Sequence, residues 1–345
     1  MNFTLLRILV WIGVYLLVIE TGLEVRAYYR GFDTLLFGNF RRAEFGTTTT
    51  EKASDLNPVT LSSDGRLRLW IASSSHAEDS YLSRERIFPT VLEKLLRDAG
   101  IQATVINASH AGMDIEDNIA DLTLRGPVLK PHYVMLYQMS TTIGSLSKEL
   151  LSGKSRNAGT QNASKRDTLR KDTLMPWAGW LIEQSATYAQ LKGQVTSRLA
   201  TQRVLSDSLG SRGDTEFERR IRSLIAAARM VGSVPILCTF ATSHLRRDLP
   251  HFPDSVVTFL FKYNVYLSLE GWVTTVEHFN AILRRIAAEE KITLIDLEHE
   301  ISGHHEYFRD YVHFTPEGHA TVARVIHQTL LVSVTRDPIQ KMVMQ

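Results

Sequence analysis

The chain has 345 residues, 44% of them apolar, a formal net charge of +2 and a single cysteine, Cys238. That length and apolar content suffice for one large domain or two small ones with a full hydrophobic core. The near-neutral balance gives no electrostatic footprint for nucleic acid, and one cysteine excludes both an intrachain disulfide and a cysteine-based metal cluster.

The first predicted element is a membrane segment. Ile8 to Ile19 is an uncharged run preceded by Leu5, Leu6 and Arg7. Counted from Phe3 it reaches about 17 residues, the short end of a membrane span, with Arg7 placed to snorkel. Residues 1–24 are therefore expected to form a single-pass signal anchor in the cytoplasmic membrane, with the main domain outside the cytoplasm. Glu20, Glu24 and Arg26 charge the approach to the small-residue pattern Val25-Arg26-Ala27, which favours an anchor that is not cleaved. Residues 25–65, with the run Thr47-Thr48-Thr49-Thr50, read as a juxtamembrane connector.

From residue 66 onward short apolar runs alternate with amphipathic stretches, the pattern of βαβ units and a parallel sheet. Strands are expected at Leu67–Ala72, Thr104–Asn107, Tyr133–Tyr137, Pro235–Phe240 and Thr293–Asp296. Helices are expected at Phe88–Ala99, Glu216–Val231, Val276–Glu290 and Pro316–Leu331. The last opens on Thr315-Pro316-Glu317, an N-cap followed by proline at the first helical position. The fold expected for residues 66–335 is a three-layer α/β/α sandwich around a parallel sheet of about five strands. Between its third and fourth strands lies an insertion at about residues 145–215. Its first part is polar and basic, with Lys154, Arg156, Lys165, Arg166, Arg170 and Lys171, and its second part, with Trp177 and Trp180, is partly helical.

In an open parallel sheet, ligands bind beyond the carboxyl ends of the strands. The residues following the first strand are Ser73, Ser74, Ser75 and His76. Ser109, His110, Ala111 and Gly112 follow the second, and Gln138 to Thr142 follow the third. A short loop after the fifth carries Asp310 and His313. Nucleophile, small residue, polar donor and acid–base pair thus fall on one predicted edge.

That order resembles the SGNH, or GDSL-type, hydrolase family over roughly residues 66–332. Asp310-Tyr-Val-His313-Phe-Thr-Pro316-Glu-Gly318 is similar to the family's closing Asp-x-x-His block. Ala72-Ser73-Ser74 stands where the family has Gly-Asp-Ser, Asn107-Ala-Ser-His-Ala-Gly112 resembles its second block, and Gln138-Met-Ser-Thr141 stands in the third. The resemblance implies a flavodoxin-like fold and a serine esterase or deacylase. In it Ser74 is the nucleophile, His313 the base, Asp310 its orienting acid, and Gly112 and Thr141 members of the oxyanion hole. Ser73 and Ser75 flank the expected nucleophile, and Thr141 replaces the family's Asn. The implied substrate is a carbohydrate or lipid acyl ester, among them acyl groups of envelope or exported polysaccharide. Two other readings fit the same residues, an O-acyltransferase using the same triad and an idle binding or scaffold domain in an envelope assembly. No cofactor or metal is expected, because nucleotide-binding glycine loops and helical His pairs with a carboxylate are both absent.

Overall fold

A computed structural model of the chain describes residues 3–29, 66–79, 82–151, 205–263 and 266–334. Most of the expected connector and of the basic insertion, with Trp177 and Trp180, lies outside these residues.

The five expected strands form one fully parallel sheet. β1 (Leu67–Ala72), β2 (Ala103–Asn107), β3 (Tyr133–Leu136), β4 (Val234–Cys238) and β5 (Thr293–Ile295) are ordered β2-β1-β3-β4-β5. Every residue of β1 and β3 is buried, as expected for strands covered on both faces. Cys238 ends β4 inside the core, where burial pushes its thiol up. In this strand order the chain reverses direction between β1 and β3, and the crevice outside their carboxyl ends is where such sheets bind ligands.

Helices cover the sheet in two packed sets. α2 (Phe88–Asp98) lies against α9 (Pro316–Val334). On the other side α5 (Gly210–Met230) packs on α3 (Ile115–Leu129), α4 (Ser140–Leu151) and α7 (Leu269–Glu290). The rings of Phe217 in α5 and Phe279 in α7 stack 3.8 Å apart in that layer. The remaining described α-helices are α1 (Phe3–Tyr29), α6 (Asp254–Tyr263) and α8 (Leu297–Ile301).

Several boundaries differ from the sequence reading, each for a local reason. α3, which carries Pro127 within it, was not among the expected helices. It forms because Asp114 caps it, accepting from the N–H of Glu116 at 2.9 Å and Asp117 at 3.1 Å. Asp117 returns the bond by accepting from the N–H of Asp114 at 2.9 Å, which completes a capping box. α7 begins at Leu269 rather than Val276, since Ser268 accepts from the Gly271 N–H at 3.0 Å. Asp296 does not extend β5; its side chain accepts from the His299 N–H at 3.3 Å and caps α8. The expected cap of α9 is present, with Thr315 Oγ1 accepting from the Gly318 N–H at 3.1 Å. Gly318 is required there, because a Cβ would strike the Tyr307 carbonyl.

α1 spans 27 residues, but among the described residues no helix is long and apolar enough to cross a membrane. The physical reason lies in its sequence. Arg7 and Glu20 bracket the uncharged run Ile8 to Ile19, which makes about 18 Å of helix against a hydrocarbon core of about 30 Å. The single-pass span expected for residues 1–24 is therefore not seen. What the structure has instead is an exposed apolar helix, with Trp11 at 72%, Leu17 at 63% and Val18 at 64% of full exposure.

Candidate active site

The site is assembled from the loops after β1 and β3 and from the segment ahead of α9. Its acid–base pair is local. Asp310 and His313 are three residues apart, and the loop turns so that His313 Nδ1 lies 2.8 Å from Asp310 Oδ2 and 3.1 Å from Oδ1. Asp310 Oδ1 also accepts from the N–H groups of Val312 at 3.0 Å and His313 at 2.8 Å, which fixes the carboxylate before it meets the ring. Burial pushes the Asp310 carboxyl up. The charge of His313, its hydrogen bond and the nearby Arg309 outweigh burial, and the group titrates at about 2. An ionised Asp310 on Nδ1 places the ring proton there and leaves Nε2 as an acceptor.

The group facing Nε2 is Ser75. Its Oγ lies 2.8 Å from His313 Nε2. Ser74, the expected partner, does not reach this position: its hydroxyl is buried and lies 3.0 Å from Nδ1 of His76. Ser73 is buried as well and donates to the carbonyl of Tyr137. The shift by one residue has a backbone cause. The N–H groups of Ala77 and Glu78 bond back to the Ser74 carbonyl at 3.1 and 3.3 Å, so a turn starts at Ser74 and carries Ser75 outward. Of the three serines, Ser75 alone is partly exposed.

An ion pair ties the two halves of this arrangement together. Asp79, in the same loop as Ser75, is buried and accepts from Arg309 Nη1 at 3.2 Å. Burial raises the Asp79 carboxyl, but the Arg309 guanidinium and then His319 hold it well below the usual carboxylate range. His319 Nδ1 accepts from the Phe88 N–H at 3.2 Å, so its proton is on Nε2, which faces Asp79 Oδ2 at 3.6 Å. Arg309 precedes Asp310 in the chain. The loop carrying Ser75 and the loop carrying the acid–base pair are thus clamped by one buried charge pair, a kind of contact that costs several kcal/mol to half-remove.

The expected oxyanion residues fare differently. Gly112 is exposed at φ +90°, a left-handed conformation that glycine adopts without strain. Glu78 holds its loop, accepting from the Ala111 N–H at 2.5 Å and lying 3.4 Å from His110 Nδ1. The hydrogen bond to Glu78 raises the His110 pKa. Thr141 is not disposed as expected. It lies in the first turn of α4, where its hydroxyl donates to the Met113 carbonyl at 2.5 Å and accepts from Gln138. A hydroxyl has one proton, and this one is already committed.

His76, named above only as a residue following the first strand, lies at the centre of the site. It is buried, edge-on to Phe240 at 5.0 Å and stacked on His313 with ring centres 5.5 Å apart. Burial, and then His313, push it down to about 3, so it is neutral. Its Nε2 lies 3.1 Å from the Oγ of Ser140, the first residue of α4. The signal available in the sequence was the i, i+2 spacing of Ser74 and His76, which puts the two side chains within reach of each other. The other histidines lie elsewhere: His305 stacks on His244 at 4.1 Å and His304 lies 3.4 Å from Glu306.

No protein-family model matches this sequence, and no curated protein does. Among solved structures, the chain is similar to a GDSL-like lipase from Bacteroides thetaiotaomicron, 12% identical, covering 84% of this chain and 100% of that one with a TM-score of 0.46. It is also similar to a lipase/acylhydrolase from Enterococcus faecalis, 12% identical over 77% of this chain and 96% of that one, TM-score 0.45. A third is an acetyl xylan esterase, 15% identical over 76% of this chain and 100% of that one, TM-score 0.44. These likenesses concern the arrangement of elements; the chemistry of the site rests on its own side chains.

Those side chains make a continuous path from a half-buried carboxylate through an imidazole to a partly exposed hydroxyl. Such a path can move one proton from Oγ to Nε2 as Oγ attacks an electrophilic carbon.

Proposed function

We propose that this chain is a serine ester hydrolase in which Ser75 is the nucleophile, His313 the general base and Asp310 the group that orients it. The reading is carried by one observation, the run Asp310 Oδ2 to His313 Nδ1 and His313 Nε2 to Ser75 Oγ, both at 2.8 Å. Ser75 Oγ attacks the ester carbonyl carbon while Nε2 takes its proton. The carbonyl oxygen becomes an oxyanion facing the N–H groups of Ser75 and Gly112. His313 then gives the proton to the departing alkoxide, leaving an acyl group on Ser75. Water, deprotonated by the same Nε2, releases the acid and restores the serine. The substrates are esters with ester-linked acyl groups, of which carbohydrate acyl esters are one class.

A fluorophosphonate probe tests the reading directly. Wild-type protein is expected to be labelled on Ser75, as located by peptide mass mapping, and heat-denatured protein is expected not to react. Labelling of Ser74, or none in the folded chain, sinks the proposal.

The reading includes attachment to a membrane through α1. The support is the exposed apolar surface of that helix, which includes Val10, Trp11, Ile12, Tyr15, Leu16 and Leu17. Surface of this kind on all sides of a helix is poorly suited to water. The full chain is expected to sediment with membranes, and Trp11→Glu with Leu17→Glu to release it. A double variant that stays with the membranes counts against α1 as the attachment.

A further inference from the structure

Ester cleavage needs a place for the alcohol half of the substrate, and the strand order says on which side it lies. Gly112 follows β2 and draws the oxyanion toward that edge of the sheet, while His313 comes from the segment after β5. The leaving oxygen takes its proton from His313 Nε2, so it comes within hydrogen-bond reach of that nitrogen. The group it carries therefore extends beside the imidazole. That ring is already covered on most sides. Nδ1 is on Asp310 at 2.8 Å, Nε2 faces Ser75 Oγ at 2.8 Å, and His76 is stacked on the ring with centres 5.5 Å apart. A further neighbour is Phe259, whose ring stands at 87° to the imidazole with centres 5.6 Å apart. Phe259 belongs to α6, between β4 and α7. Val256 and Leu260, four residues apart on one face of α6, are buried and pin the helix to the core. Phe259 is turned about 100° from Leu260 around the helix and stays partly exposed beside the catalytic ring. A phenyl ring has no hydrogen bond to offer, so what covers it is an apolar face.

Resting on the hydrolase reading above, we propose that Phe259 is a specificity-determining residue whose ring is the platform for the alcohol half of the ester, and that the site takes acyl esters of alcohols with a C–H-rich face. A methyl or ethyl alcohol is too short to cover the ring, whereas a cyclic alcohol reaches from the leaving oxygen onto it. The ring of a sugar and an apolar cyclic alcohol both carry such a face. Once the alcohol departs with its proton, the same place opens to the water that Nε2 deprotonates. The platform thus acts on acylation and not on deacylation.

The test is kcat/KM for ethyl acetate and cyclohexyl acetate, which leave the same acetyl group on Ser75 and differ only in the alcohol, with folding checked by circular dichroism. Phe259→Ala is expected to lower the cyclohexyl-to-ethyl ratio about 10-fold, the low end of what one apolar contact contributes to discrimination, and Phe259→Leu is expected to lower it less. Phe259→Tyr, which keeps the ring, is expected to hold the ratio within about two-fold of wild type. If Phe259→Ala fails to fold, the contrast between Leu and Tyr still decides. A monoacetylated methyl pyranoside, run alongside, names the source of the face. A fall shared with cyclohexyl acetate supports the proposal with a sugar ring as the alcohol, and a fall confined to cyclohexyl acetate supports it with an apolar alcohol. Equal losses on the ethyl and cyclohexyl esters, or no change in either, in a chain whose Ser75 is labelled by phosphonate, overturn the proposal and leave the hydrolase reading standing. A higher ratio in Phe259→Ala, the mark of a ring that obstructs the alcohol, overturns it too. So does a change in cyclohexyl butyrate relative to cyclohexyl acetate with the alcohol ratio unmoved, which puts the ring against the acyl chain. Absence of both labelling and turnover in wild-type protein overturns the hydrolase reading itself, and the proposal with it.

Discussion

Ser75→Ala is expected to lower kcat on a short acyl ester by about 10⁴-fold or more, and Ser74→Ala by less than about 10²-fold. The difference follows from where the two hydroxyls are. Ser75 Oγ is 2.8 Å from the only nitrogen of His313 able to take its proton, since the other faces Asp310. Ser74 is fully buried on His76 and cannot meet a substrate. Removing the Ser75 hydroxyl removes the covalent route altogether, and what remains is catalysis by the oxyanion donors and by binding. Removing the Ser74 hydroxyl takes away one partner of His76 and leaves nucleophile, base and acid in place. Kinetics on both variants, at matched folded fraction, measure the contrast. An inactive Ser74→Ala beside an active Ser75→Ala would mean that Ser74 is the nucleophile and that the loop turns differently from the arrangement described here.

The contrast also marks what the sequence could and could not say. The five strands were legible because each is a short apolar run bounded by polar turns, and burial on both faces makes such runs continuous. Asp310 and His313 were legible because their contact is local: three residues in one loop bring a carboxylate to an imidazole whatever the rest of the chain does. The nucleophile was not, because three consecutive serines differ only in where the turn after β1 begins. That is set by the bonds from Ala77 and Glu78 to the Ser74 carbonyl. Thr141 was misread for a related reason. A polar stretch after a strand reads as a loop, yet α4 begins at Ser140, and helical backbone turns Thr141 back toward Met113. His76 had only its i, i+2 spacing from Ser74 as a sequence signature. Its placement depends on β1 and β3 being neighbours, which puts Ser74 and Ser140 on opposite sides of one ring. The Asp79–Arg309 clamp joins residues far apart in the chain, and no local pattern announces it.

Asp310→Asn is expected to lower kcat by about 10⁴-fold while leaving the fold intact. The asparagine Oδ1 can go on accepting from the N–H groups of Val312 and His313, so the loop keeps its shape. The change falls on the atom facing Nδ1, where an acceptor oxygen at 2.8 Å becomes an N–H donor. Two donors cannot face each other, so the His313 proton moves to Nε2, and the nitrogen that should take the Ser75 proton no longer can. Stability carries an independent signature. In the fold the Asp310 carboxyl is lowered from 3.8 to about 2. A carboxyl whose folded pKa lies below its unfolded one adds stability that is fully present above about pH 4. That stability is lost as the pH falls through the folded value. The difference is worth about 2 kcal/mol, so wild-type protein is expected to lose that much between about pH 4 and pH 2, and Asp310→Asn correspondingly less. The acid pull of Asp79 is common to both proteins and cancels in the comparison. Denaturant melts across that window, with kcat near neutral pH, check both halves. Retention of more than a tenth of wild-type kcat would show that His313 keeps its working tautomer without Asp310. Identical acid limbs would show that the carboxylate is not held ionised by the fold.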